Sequence, residues 1–135
     1  MPANSNVMAV GVSNGTSVPV VVSVANTLRD GTGTLTALAT AGTNGGLFFR
    51  VRATHMGAIT VASTAMVVRL WVTSGANKVM IDEAALTSVT PTASVPGSTV
   101  TFSKTNISLK AGEVLSVTTS VSEAVGFVAD GGGDF

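Results

Sequence analysis

The clearest alternation of apolar and polar residues in this chain lies in two segments between residues 47 and 73, which are joined by a short link. In the first segment, Phe49, Val51 and Ala53 alternate with arginine and threonine, so a β-strand here has an apolar face and an arginine face. The second segment, residues 67–73, places valine and leucine on one face and a mixed set on the other. The pattern predicts two strands that need a second layer to cover their apolar faces.

Further segments with strand character lie on both sides of this pair. A valine-rich run at residues 19–25 begins with proline, which suits the first residue of a strand. Alternation predicts more strands at residues 34–40, 78–84, 98–109, 114–121 and 124–129. Asp30-Gly31 and Asn44-Gly45 are turn signals between them.

No segment makes a convincing helix, since the best candidate, around residues 80–86, is short and lacks a cap. Residues 87–97 contain two prolines and are predicted to form a long surface loop. Eight or so short strands predict an all-β chain folded as an antiparallel sandwich or barrel. A jelly roll is the first choice of topology and an immunoglobulin-like Greek key the second.

The length of 135 residues fits one domain, which we place at residues 18–135, preceded by an extended N-terminal arm at residues 1–17. A frayed terminus is the alternative interpretation of the arm. Hydrophobic residues make up 45% of the chain and charged residues 10%, yet no apolar run is long enough to span a membrane. Because large apolar patches are rare on monomers, we expect a homo-oligomer and no membrane partner.

Charge and cysteine content exclude several other classes of function. Seven basic residues balance seven acidic ones, so the chain has no electrostatic footprint for nucleic acid. With no cysteine, it has neither disulfides nor thiolate metal sites. His55 is the sole histidine, and without further ligands nearby it cannot anchor a zinc site.

The remaining polar motifs do not assemble into a catalytic pattern. Asp82 and Glu83 are adjacent and would point to opposite faces of a strand, which prevents them from acting as an acid and base pair. The segment at residues 30–33 lacks the lysine of a phosphate-binding loop. Residues 130–134 offer too few oxygen ligands for calcium and are interpreted as a flexible linker. We therefore expect no enzyme activity, no cofactor and no metal.

Arg50, Arg52, Arg69 and Trp71 are the candidate interface residues, because arginine and tryptophan are enriched where protein surfaces meet. The two strands that carry them could present all four side chains on one sheet face. A solvated outer face is the alternative interpretation.

The order of turns and strands resembles small virion proteins of tailed bacteriophages. The motifs that carry the resemblance are Asn26-Thr27, Asp30-Gly31-Thr32-Gly33-Thr34, Thr40-Ala41-Gly42, Asn44-Gly45-Gly46, the strands at residues 49–53 and 67–72, Leu109-Lys110-Ala111-Gly112 and Gly133-Asp134-Phe135. The similarity covers about residues 20–135, and its motifs are less specific than a catalytic signature. Within this group the chain is similar to β-sandwich proteins that decorate, or cement, the phage head.

The resemblance implies a trimeric jelly-roll subunit on the outer surface of the capsid, bound to the major capsid protein and clamping neighbouring capsomers. It also adds Asp134 and Phe135 to the candidate interface residues. A competing hypothesis is a head-fibre or tail component that attaches to the host. A glycan-binding module of that kind usually has aromatic platforms, whereas only 4% of this chain is aromatic.

Overall fold

The computed structural model describes residues 16–134, with the side-chain surroundings of residues 18–130. Within that range the chain forms ten β-strands and no helix. The strands are β1 (Thr16–Ser17), β2 (Val20–Val22), β3 (Thr36–Thr40), β4 (Gly46–His55), β5 (Met66–Ser74), β6 (Asn77–Leu86), β7 (Thr99–Thr101), β8 (Ile107–Leu109), β9 (Val114–Thr119) and β10 (Val125–Asp134).

The strands form two antiparallel sheets that pack face to face. The first sheet has the order β1-β3-β9-β5-β6, and the second has the order β2-β10-β4-β7, with β8 also pairing to β4. From β2 onward the chain passes repeatedly from one sheet to the other, and only neighbours in sequence such as β5 and β6 stay together. This winding is that of a jelly roll, so the predicted all-β sandwich and its first-choice topology are confirmed.

The hydrophobic core lies between the two sheets. Leu70 and Val117 face it from the first sheet, and Val51 and Phe127 face it from the second; all four are fully buried. Burial of each such side chain stabilises the fold by roughly 1.5–3 kcal/mol relative to its exposure to water. The alternate apolar residues of these strands therefore face the core, as the sequence pattern predicted.

The N-terminal part of the described chain crosses between the sheets at Pro19. Residues Thr16–Ser17 pair with β3 in the first sheet, and Val20–Val22 pair with β10 in the second. The strand predicted at residues 19–25 is thus shorter than expected. The predicted arm contributes its last two residues to β1, while residues 1–15 lie outside the described residues.

The glycine-rich tail is not a linker, which corrects the sequence interpretation. β10 continues through Gly132 and Gly133 to Asp134, whose backbone is paired with Gly46 of β4. The long strand β4 carries hydrogen-bonding backbone groups along its whole length, and the tail satisfies those on one side.

Two details of the predicted strands are wrong. Phe48 is buried and Phe49 is 45% exposed, although the alternation placed Phe49 with the core residues. The alternation of buried and exposed residues shifts by one position where the pairing partner of β4 changes from β8 to β7. The strand predicted at residues 98–109 is divided at the same place, and Asn106 adopts a positive φ of 53° in the break.

Candidate functional site

The four candidate interface residues do not share a face. Arg50 and Arg52 lie on β4 in the second sheet, whereas Arg69 and Trp71 lie on β5 in the first. The prediction of one common face is wrong, because the chain crosses from the second sheet to the first between β4 and β5. The exposed pair and the buried pair therefore have different roles.

Arg50 and Arg52 project from the outer surface of the second sheet, where they share one carboxylate. The Nε atoms of Arg50 and Arg52 lie 3.7 and 3.1 Å from Asp130 Oδ2 on the neighbouring strand β10. Both arginine side chains are at least half exposed. One carboxylate balances only one of the two charges, so this surface, which we name the arginine face, carries a net positive charge.

Beyond the arginine face, the outer surface of the second sheet carries polar and apolar side chains toward the end of β4. The hydroxyl groups of Thr54 and Thr99 form a hydrogen bond with an oxygen–oxygen distance of 3.0 Å. Next to them, Met56 lies across Gly126, where a Cβ atom would come within 2.7 Å of its sulfur. Val21, the backbone partner of Gly126, is 55% exposed. The absence of a side chain at position 126 lets the methionine lie against the sheet.

Arg69 and Trp71 are 7% and 1% exposed, although they point away from the core of the sandwich. The connection between β2 and β3 covers them. Its Asn26 donates a backbone hydrogen bond to Thr119 at the end of β9. Further along the same connection, Arg29 bonds to Glu83 on β6. The loop thus crosses the outer surface of the first sheet from β9 to β6.

A carboxylate between two guanidinium groups holds this loop in place. Glu83 accepts hydrogen bonds from Arg29 at 2.8 and 3.0 Å and from Arg69 Nε at 2.8 Å. These bonds, first from Arg29 and then from Arg69, hold the pKa of Glu83 below its ordinary value. Nη1 of Arg69 is buried without a hydrogen-bond partner, so Glu83 is the group that compensates this buried charge.

A second surface is formed by four connections at one end of the sandwich: residues 23–28, 56–65, 87–98 and 120–124. We name this set the loop end. The strands place these connections together, since Val125 at the start of β10 is paired with both His55, the last residue of β4, and Val22, the last residue of β2. Glu123 is the only charged residue in these four segments.

Hydrogen bonds hold the connections of the loop end to one another. Thr60 N donates to Pro91 O at 2.7 Å and Ser63 N donates to Val89 O at 2.9 Å, which joins the two longest segments. Ser63 is buried, and its hydroxyl group accepts a hydrogen bond from Val89 N. In the shorter segments, Ala25 N donates to the hydroxyl group of Ser122. The loops are therefore fixed before any partner arrives.

His55, at the end of β4, is hydrogen-bonded to Glu123 of the loop end. Gly57 N donates to His55 Nδ1 at 3.2 Å, so the imidazole proton is on Nε2, which donates to Glu123 Oε1 at 2.8 Å. Glu123 also accepts bonds from the hydroxyl and the backbone N–H of Thr64, and these bonds lower its pKa. His55 is the last residue of β4, as predicted, and its hydrogen bonds join the end of this strand to the loop end.

Six large apolar side chains of the loop end are exposed to solvent. Val24 is 75% exposed, and Met56, Ile59 and Val61 are each more than half exposed. Leu28 and Val95, at 46% and 45%, complete the set. Since these residues lie on three separate stretches of sequence without a common period, the sequence pattern contained no signal that grouped them.

Comparison with known proteins yields no match: no protein-family model, curated protein or solved structure is similar to this chain. The function must therefore be argued from the two exposed surfaces and from the sequence pattern.

Asp134 ends β10 opposite Gly46, and Phe135 lies outside the described residues. Among the residues that the structure describes, no group of three or more histidine, aspartate or glutamate side chains is arranged to hold a metal ion. Over the same part of the chain, no helix has the length and hydropathy needed to cross a bilayer.

Proposed function

We propose that this protein is a structural virion subunit, a capsid decoration protein that binds the outer surface of a phage head and stabilises contacts between capsomers. The observation that carries the proposal is the exposed arginine face, where two arginines share the single carboxylate of Asp130. Both arginine side chains are at least half exposed, and no loop among the described residues covers them. The turn and strand pattern of the sequence supports the same function.

The chemistry of such a protein is binding rather than catalysis. A subunit that binds only the assembled shell stabilises that shell by its binding free energy, through mass action. The arginine face suits a carboxylate-bearing surface, because a guanidinium binds a carboxylate with two parallel hydrogen bonds. The major capsid protein is the proposed partner, and the outer capsid surface is the proposed location.

Co-sedimentation of the purified protein with mature capsids that lack it tests this function. We expect saturable binding at a stoichiometry that matches the three-fold sites of the shell. Absence of binding to intact shells would contradict the proposal and direct the search to the tail or to head fibres.

A further inference from the structure

We propose that the loop end is the surface through which copies of this chain associate with one another, separately from the arginine face. The proposal holds for any assembly in which the protein takes part and does not rest on the capsid function. It follows from the composition of the loop end, its fixed conformation and its lack of charge.

The first argument is the concentration of exposed apolar side chains. Six of the ten large apolar side chains that are exposed in the described part of the chain lie on the loop end: Val24, Leu28, Met56, Ile59, Val61 and Val95. Single exposed hydrophobic residues are normal on a monomer, whereas a group on one surface marks an interaction site. Burial of this group against another protein would remove it from water, which is the main favourable term in association.

The second argument is the near absence of charge. Glu123 is the only ionisable side chain in the four segments, and its carboxylate is already bonded to His55 and Thr64. A symmetric interface brings the same residues of neighbouring copies close together, so like charges would oppose its formation. The loop end can meet a second copy of itself without this repulsion, unlike the net positive arginine face.

The third argument is the fixed conformation of the loops. The bonds between Thr60 and Pro91, and between Ser63 and Val89, hold the two longest segments together while their apolar side chains remain exposed. Association would then order few additional groups, so the loss of conformational entropy on binding would be small. Interfaces between identical subunits are also more apolar than those of transient complexes, so composition favours a second copy over a foreign partner.

A lipid surface is the other environment that accepts apolar loops, but the chemistry of this surface disfavours it. Segments that bind at a membrane surface combine apolar side chains with lysine, arginine and aromatic residues near the headgroups. The four segments of the loop end contain no lysine, arginine, tryptophan, tyrosine or phenylalanine.

The test is the oligomeric state of the full chain by sedimentation velocity across micromolar concentrations. We expect wild-type protein to be oligomeric and the double variant Ile59→Asp/Val61→Asp to be monomeric or at least about tenfold weaker in association, since buried carboxylates at an interface are strongly unfavourable. Val79→Asp is the matched control, because Val79 is 58% exposed, like Ile59 at 59%, but lies outside the loop end. The control should remain oligomeric.

Circular dichroism and the melting temperature verify that the variants are folded. If the double variant does not fold, Val95→Asp on the opposing segment replaces it in the same measurement. A monomeric wild-type protein at every concentration, or dissociation by Val79→Asp alone, would overturn the proposal. So would flotation of the wild-type protein with neutral phosphatidylcholine vesicles that is lost in the double variant. An oligomer that fails to bind capsids would overturn only the decoration function.

Discussion

The indole N–H of Trp71 donates a hydrogen bond to the hydroxyl group of Thr118 at 3.0 Å, on the side of the first sheet that faces away from the core. Both residues are buried, since the β2–β3 connection crosses above them. Among the described residues, a loop therefore covers part of the outer surface of the first sheet, and no loop covers the arginine face of the second.

Thr118→Val should destabilise the protein by about 1–3 kcal/mol, because it leaves the buried indole N–H of Trp71 without an acceptor. Urea denaturation, followed by the fluorescence of the only tryptophan in the chain, measures the change. Thr101→Val, at an exposed position on the second sheet, is the control and should change stability by less than about 0.5 kcal/mol. Equal effects of the two substitutions would mean that the indole hydrogen bond does not stabilise the fold.

Glu83→Gln should weaken the attachment of the covering loop and destabilise the fold by about 2 kcal/mol at neutral pH. The reason is the nearly buried guanidinium of Arg69, which loses its compensating charge; partial exposure of Glu83 reduces the effect below that of a fully buried pair. Thermal or chemical denaturation measures the loss. Glu113→Gln, in the turn before β9, is the control: it changes the net charge by the same amount and should destabilise the fold less than Glu83→Gln.

The same carboxylate predicts a dependence of stability on pH. The folded-state pKa of Glu83 is lowered, so its contribution is fully present above the ordinary carboxylate pKa near 4.5 and is lost as the pH falls through the folded value. Wild-type protein should lose more stability between pH 5 and about pH 3 than Glu83→Gln, which cannot titrate at this site. Parallel stability curves for the two proteins would show that Glu83 is not preferentially charged in the folded state.

Gly45→Ala should be more destabilising than Gly75→Ala, although both glycines have positive φ values, 81° and 61°. A Cβ atom at position 45 would lie 2.5 Å from the carbonyl oxygen of Leu109, whereas position 75 has nothing within 4 Å. The left-handed backbone costs about 1–2 kcal/mol for alanine at either site. The clash should add about 1–3 kcal/mol at position 45 alone. Similar midpoints of denaturation for the two variants would contradict this prediction.

Arg50→Glu/Arg52→Glu should reduce binding to capsids by at least about tenfold, and added salt should weaken the binding of the wild-type protein. Lys104→Glu/Lys110→Glu makes the same change of net charge at other exposed positions and should bind nearly as wild type. Co-sedimentation at two ionic strengths measures both effects. Equal losses in the two double variants would indicate that only net charge matters and that the arginine face is not the docking surface.

Local alternation was sufficient to predict most of the strands and the all-β class, because side chains on a β-strand alternate between its faces with a fixed period. It was insufficient where a strand exchanges partners, and there Phe48 rather than Phe49 is buried. It also failed for the tail at residues 130–134, whose glycines give no pattern but whose backbone pairs with β4.

The sequence by itself determined that the chain is an all-β sandwich with a surplus of apolar residues and few charges, since these properties depend on local period and composition. Only the tertiary structure decided which side chains meet. It separated Arg50 and Arg52 from Arg69 and Trp71, because the order of strands within the sheets depends on pairing between distant segments. It also brought the exposed apolar residues of three distant connections together at one end, where strand ends meet and no sequence period operates.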